Sequence, residues 1–263
     1  MVPKQREETL KTVSDLKNYL KTKGKNHHCF KYYSKDKYID EIISSHSVYL
    51  TNGEHWNDRA DAENLRNCSD DCKRYVLCLS FSKSENVAMW MLYSGNKGRM
   101  IDYDKNTISE ILNAEKVELG EFENEEFKAK EVICKPNFEL EITDVIYYGD
   151  GARNNWSSKK YYVRRSDERY NNFSKRKIDK LNYQKKKLPW SYENECRIVL
   201  TIKSKSTKVL YSTARIEFPE KCIKKLRQRV YNSPNNQDKK YKNSKMKEDM
   251  CWNLCRNCKK ENT

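Results

Sequence analysis

Two carboxylates and a guanidinium alternate in Trp190-Ser191-Tyr192-Glu193-Asn194-Glu195-Cys196-Arg197. In an extended strand Glu193, Glu195 and Arg197 fall on one face, and Asn194, Cys196 and Ile198 on the other. Successive members of a face stand about 7 Å apart. Such a row suits acid–base work or the stabilisation of positive charge: one carboxylate orients a hydroxyl, and the Arg anchors that carboxylate or a phosphate. A solvated strand face with a weak ion pair has the same spelling. Spacing alone leaves both readings open.

A second group lies upstream, in Cys78-Leu79-Ser80-Phe81-Ser82 and the segment after it. Ser80 and Ser82 share one strand face, and Met89, Trp90 and Tyr93 follow on a helix. Small hydroxyls at a strand end, ahead of a turn and a helix, often receive a ligand. Met89, Trp90 and Tyr93 at that spacing suit a core equally well. Neither G-x-x-x-x-G-K-[ST] nor G-x-G-x-x-G occurs, so no phosphate-cradling glycine loop supports nucleotide binding.

Metal chemistry has little to work with. The four His stand at 27, 28, 46 and 55 without an H-E-x-x-H pair, and His55 in His55-Trp56-Asn57-Asp58 reads as an ordinary loop residue. Asp58, Asp61 and Glu63 are the acids a metal nuclease would need, but they lack a partner motif. Cys251, Cys255 and Cys258 carry the spacing of a three-thiolate iron–sulfur motif without its usual setting, and Cys222 is an unsupported fourth ligand for zinc. They read as free thiols, and no metal is expected.

Basic side chains outnumber acidic ones by 53 to 38, a net charge of +15. The imbalance is local. Residues 110–144 hold eleven acids and four bases, whereas 159–187 hold twelve bases and three acids, and 221–261 thirteen bases and four acids. Tyr161, Tyr162, Tyr170, Phe173 and Tyr183 interleave the first basic block. Cations with aromatic rings between them suit a phosphate backbone with stacked bases. Nucleic acid or another anionic target is therefore the expected partner of 159–187 and the tail, although a lysine-rich composition gives the same count.

These groups need elements to position them. Leu10, Val13, Leu16, Tyr19 and Leu20 recur at helical spacing, so 1–26 are expected as an amino-terminal helix. Strands are expected at 29–34, 47–52, 74–82, 99–104, 190–202 and 208–219, and in the acidic middle segment. Helices are expected at 37–45, 84–98 and 222–230, with a helix pair across 159–187. The elements interleave without regular alternation. That points to an α+β fold with a split, largely antiparallel sheet and flanking helices, not a doubly wound one. The expected division is the helix 1–26, one α+β domain over 27–230, and a basic, Cys-containing tail over 231–263.

Composition removes several classes. Of 263 residues, 37% are hydrophobic and 35% charged, with a mean hydropathy of −1.06. That is polar for a globular chain, yet 18 Tyr and 5 Trp supply apolar faces that a disordered chain lacks. No apolar run approaches the roughly 20 residues of a membrane span, so no membrane partner is expected. The opening residues are charged and hold no apolar secretion-signal core. The ten Cys are accordingly expected as reduced thiols in a cytoplasm.

Taken in order, Phe30-Lys31-Tyr32-Tyr33-Ser34, the run from Ser47 to Asp58, the run from Leu77 to Asp104, and Leu188-Pro189 leading into Trp190–Arg197 resemble an uncharacterised bacterial family, the domain of unknown function twenty-nine seventy-one. Its pattern runs Y-K-Y, a Phe-Asn-Asp-Pro loop, Met-Trp-x-x-Tyr and Trp-x-x-Glu-x-Glu-x-Arg, covering roughly 29–202 here. Trp56 stands where that loop has Phe, and Arg59 where it has Pro. Such domains look like ADP-ribosyltransferases and are found among bacterial toxin and phage-defence genes.

The resemblance implies NAD as substrate. Lys31 and Tyr32 would hold its adenosine side, and Ser80 and Ser82 with Tyr93 would frame the nicotinamide ribose. Glu193 or Glu195 would be the catalytic carboxylate, with Glu195 preferred because it lies deeper in the strand. Aromatic faces, Trp90 and Trp190 among them, would sandwich the nicotinamide, and a basic side chain such as Arg197 would pair with the pyrophosphate. A carboxylate beneath the ribose stabilises an oxocarbenium-like transition state. An inhibitor or a defence-complex protein would be a further partner. The rival expectation is a non-catalytic nucleic-acid- or partner-binding module, its Glu-x-Glu-x-Arg strand a structural ion-pair ladder.

Overall fold

The computed structural model describes residues 28–66, 71–82, 84–95, 98–149, 160–163, 182–207 and 209–234. The expected helix over 1–26, the carboxy-terminal Cys trio and the middle of the basic block lie outside the described residues. The chain divides into two units, Met1–Ser233 and Pro234–Thr263. All of the described strands and helices lie in the first.

Among the described residues ten strands form one sheet around β3 (Cys72–Ser82), the longest of them. One edge of β3 pairs along its length with β11 (Glu195–Lys203), from Ser80↔Glu195 to Cys72↔Lys203. The other edge is shared. β1 (His28–Tyr33) pairs with its end at Phe30↔Ser80, while β2 (Ser47–Thr51) pairs further back at Thr51↔Val76. The sheet therefore splits at β3. Beyond β1 come β4 (Arg99–Tyr103) and the short edge strand β13 (Val230–Asn232). Beyond β2 come β12 (Thr213–Glu217), β5 (Lys116–Glu123) and β6 (Glu126–Cys134), and β7 (Phe138–Asp144) borders β11. Every pairing in this sheet is antiparallel. A separate sheet joins β8 (Ile146–Gly149) antiparallel to β9 (Lys160–Val163) and parallel to β10 (Lys185–Lys187). The protein is thus α+β with a largely antiparallel sheet.

β3 and β11 read as nearly unbroken apolar runs because both of their faces are covered. One face carries Leu77, Leu79, Ile198 and Leu200 into the main core. There they meet α1 (Asp36–Ser44) through Ile39 and Ile42, α3 (Lys105–Leu112) through Ile108 and Ile111, and α4 (Glu220–Gln228) through Ile223 and Leu226. Each of these helices buries a stripe at i, i+3 spacing. Asp104 caps α3 by accepting from the Thr107 amide at 2.7 Å.

The opposite face holds the polar residues. Here Val76 and Val199 pack with Leu65 of α2 (Arg59–Arg66) and with Tyr183, and Phe30, Tyr32 and Met100 pack with Met89 and Trp90. The register aligns Asp102, Phe30, Ser80 and Glu195 in one row across β4, β1, β3 and β11.

Three expectations change. The helix expected at 84–98 is one α-turn, Val87–Met89, running into a π-turn, Trp90–Ser94. The ends of the basic block are not helical: β9 opens it, and the 3-10 turn Asn182–Gln184 with β10 closes it. The strand expected from 190 starts at Glu195, because Leu188–Glu193 is a 3-10 turn and Asn194 takes a left-handed φ of 48°. That kink is pinned at both ends: the Phe81 amide donates to Asn194 O at 2.8 Å, and the Asn194 side chain donates to Phe81 O.

Candidate active site

A cavity of about 390 Å³ opens on the polar face at the split of the sheet. Its walls are largely aromatic: Phe30, Tyr32, Trp56, Tyr93, Trp190 and Tyr192. Its floor is a cluster of charge.

Glu195 is buried at the start of β11 with both carboxylate oxygens engaged. Oε1 accepts from Arg197 Nε at 2.7 Å and Oε2 from Lys186 Nζ at 3.0 Å, while the Glu195 amide donates to Tyr147 Oη at 2.8 Å. Arg197 is wholly buried. It donates onward to Asp61 Oδ2 at 2.5 Å and to the Tyr183 carbonyl at 2.8 Å, with Trp56 stacked over its guanidinium at 5.3 Å. Asp61 reaches this point because α2 is started by Asp58, whose Oδ1 accepts from the Ala60 and Asp61 amides.

Glu193 arrives by a different route, from the 3-10 turn instead of the strand. Its Oε2 accepts from Lys186 Nζ at 2.5 Å, and its Oε1 accepts from the Tyr93 hydroxyl. Its backbone carbonyl accepts from Ser80 Oγ at 2.7 Å, which ties the turn to β3. Lys186 Nζ also lies 3.7 Å from Asp61 Oδ2 and over the Trp190 ring at 5.2 Å.

Three buried carboxylates thus face two buried cations, and one proton reconciles them. Burial and the neighbouring Glu195 charge push the Glu193 carboxyl up to about 7, against the pull of Lys186. Burial opposes ionisation of Glu195 too, but Arg197 and Lys186 together outweigh it and hold that carboxyl well below its usual range. Burial also raises Asp61, with Arg197 opposing. Two adjacent carboxylates pushed in opposite directions suit acid–base chemistry, with Glu195 held as the anion and Glu193 held towards its protonated form.

Of the residues singled out in the sequence, Lys31, Tyr32, Ser80, Tyr93, Trp190, Glu193 and Glu195 line this one cavity. Ser82, Trp90 and Arg197 are not among its lining residues. Ser82 donates to the Ser84 carbonyl at 2.5 Å. Trp90 is core, edge-on to Tyr32 at 5.1 Å and donating to Glu85 at 2.6 Å. Arg197 is wholly buried and bonded to Glu195, Asp61 and Tyr183, so it holds the carboxylates and is withdrawn from a pyrophosphate in the cavity.

Lys186, Asp61, Trp56 and His55 belong to the site although spacing did not assign them to it. Lys186 was hidden inside a run of three lysines, and Asp61 stood out in the sequence only as one of three acids without a partner motif. Glu63 is exposed and away from the cavity. Among the described residues no group of three or more His, Cys, Asp or Glu is placed to hold a metal ion, and no helix is long and apolar enough to cross a membrane.

The fold and the site define an α+β protein whose buried carboxylate pair faces an aromatic cavity. Residues 89–198 match the model of a family described as a protein of unknown function, DUF2971. The match runs from the Met89-Trp90 turn into β11, and the β1 and β3 contributions to the cavity precede it. No curated protein and no solved structure matches the chain.

Proposed function

We propose that this chain is an ADP-ribosyltransferase-like enzyme that breaks the nicotinamide–ribose bond of NAD. It passes ADP-ribose to a macromolecule or to water, in the setting of a bacterial toxin or phage-defence system. One observation carries the reading. Motifs from three adjacent strands, the π-turn and the 3-10 turn, namely Lys31 and Tyr32, Ser80, Tyr93, and Glu193 with Glu195, meet at one aromatic-walled cavity with a charged floor.

The residue types suit the chemistry. NAD carries its positive charge on the nicotinamide ring, and aromatic faces such as Tyr93, Trp190 and Tyr192 attract a cationic ring. Leaving of the nicotinamide moves positive charge onto the ribose, which a fixed anion stabilises in a site shielded from water. Glu195 is that anion. Glu193, which titrates near neutrality, accepts the proton of the attacking hydroxyl or water as the new bond forms. Lys31, half-buried in the cavity lining, is a basic group free to meet the pyrophosphate.

The test follows NAD labelled on its adenylate, mixed with the purified chain and cell lysate, beside Glu195→Gln and Glu193→Gln. Label passing to macromolecules, or free ADP-ribose appearing, with the unaltered chain alone is the expected result. No consumption by any of the three rejects the enzyme and leaves the non-catalytic binding module.

A further inference from the structure

We propose that Lys186 is a positioning residue, whose ammonium clasps Glu193 and Glu195 together at the cavity floor and sets the protonation of Glu193 without meeting the substrate. Its Nζ lies within 3.0 Å of an oxygen from each glutamate and 3.7 Å from Asp61, so its donors point down into the carboxylates. Its side chain is only 9% exposed, and the Trp190 ring lies against it at 5.2 Å. A lysine from the basic block is therefore not part of a surface for an anionic target. It occupies the space between the two carboxylates, which cannot straddle a substrate from opposite sides.

The two glutamates depend on it unequally. Glu195 keeps a second cation, Arg197 at 2.7 Å, if Lys186 is removed. Among the described residues Glu193 makes no ion pair with another cation: the groups facing it are Glu195 from β11, Tyr93 from the π-turn, Tyr147 from β8 and Tyr192 from its own turn. Burial raises all three tyrosines above their ordinary value, so they stay neutral through the range where Glu193 titrates. Asp61 is paired with Arg197. Without Lys186, Glu193 sits beside a permanent anion with the Tyr93 phenol as its remaining donor among the described residues, and it holds its proton to higher pH.

This assignment needs only that the carboxylates titrate, so it stands apart from the reaction proposed above. The test is a carbon-detected NMR titration of carboxyl-labelled full-length chain, with the Glu193 signal identified by its loss in Glu193→Gln. The unaltered chain is expected to show a midpoint near 7, Lys186→Met a midpoint about one unit higher or more, and Lys186→Arg a midpoint restored most of the way. An unmoved midpoint in Lys186→Met overturns the assignment, as does a Glu193 that titrates in the ordinary carboxyl range in the unaltered chain. Should Lys186→Met fail to fold, Lys186→Gln against Lys186→Arg makes the same comparison. NAD turnover across pH, run in parallel, separates the two proposals: a moved midpoint without turnover upholds Lys186 and rejects the reaction, and turnover with an unmoved midpoint does the reverse.

Discussion

Asp61 Oδ2 and Arg197 Nη2 meet at 2.5 Å in the protein interior, 136 residues apart in the chain. Both are buried, so each favours the charged form of the other, with Glu195 as a second partner of Arg197 at 2.7 Å. Removing Asp61 takes one of two carboxylates away from a buried guanidinium, at a cost of up to about 3–5 kcal/mol. Asp61→Ala is therefore expected to lower the urea midpoint steeply with the slope unchanged. Asp61→Asn, which keeps an acceptor for Arg197, costs less, and equal losses in the two variants would show that the neutral acceptor contributes nothing and the lost charge carries the effect. Each loss is to be read beside that of Glu63→Ala, an exposed neighbour on the same helix that is expected to change stability by less than about 0.5 kcal/mol.

The glutamates give stability an opposed pH dependence. Glu193 is raised from an ordinary 4.5 to about 7 in the folded protein, so the folded state holds its proton more tightly than the unfolded one. Its contribution is complete below 4.5 and is lost as pH rises through 7. Glu195 is lowered, and its contribution is present above 4.5 and lost on acidification. Glu193→Gln mimics the protonated side chain, so it is expected to match the unaltered chain at pH 5 and to melt higher at pH 8. Thermal unfolding at the two pH values measures this, and a difference that is the same at both contradicts the raised carboxyl.

Much of this architecture was legible in the residues. Leu77, Leu79 and Phe81 announce β3, and Glu195, Arg197 and Val199 alternate with Cys196, Ile198 and Leu200 as a strand must. The partners were not. Strand pairing is non-local, and nothing in the spelling of Lys185-Lys186-Lys187 distinguishes the lysine that enters the interior from its neighbours. Glu193 shows a subtler failure. Alternation placed it on the face of Glu195, and it does reach the same cavity, but through a left-handed Asn194. Asn is the non-glycine residue that adopts that conformation most readily. The energy that holds the kink comes from Phe81, which lies far away in sequence.

Gly98 stands where no side chain fits. A Cβ there would run into the backbone oxygens of Ser94 and Tyr33, so one of the two segments must move. Overpacking of this kind costs about 1–3 kcal/mol. Ser94 ends the π-turn that carries Tyr93, so Gly98→Ala is expected to lower the melting temperature and also to slow turnover by loosening the Tyr93–Glu193 contact. A loss of stability with turnover intact would show that β1, and not the π-turn, gives way.

Ser80 connects the sheet to the chemistry through a backbone atom. Its hydroxyl donates to the Glu193 carbonyl at 2.7 Å, and it is buried between Phe30 and Glu195 in the cross-strand row. Ser80→Ala leaves that carbonyl without its donor, a penalty of about 1–3 kcal/mol. Because the bond holds the turn and not the substrate, the expected kinetic signature is a fall in kcat with KM little changed. A rise in KM alone would instead place the hydroxyl against the ribose.

Tyr93 and Lys186 hold the two oxygens of the same carboxylate, one as a neutral donor and the other as a cation, so their removal should differ in degree. The Tyr93 hydrogen bond favours the ionised form of Glu193. Tyr93→Phe keeps the ring in the cavity wall and deletes only that bond, which is worth about 1.5–3 kcal/mol when the acceptor is charged. Its loss is expected to move the Glu193 midpoint upward, and by less than Lys186→Met does, since the ammonium that compensates the charge stays in place. The titration also separates two roles for the phenol. A midpoint that rises with the basic limb of the turnover profile assigns Tyr93 to the carboxylate, whereas an unmoved midpoint with weaker substrate binding assigns it to the ring it would face across the cavity.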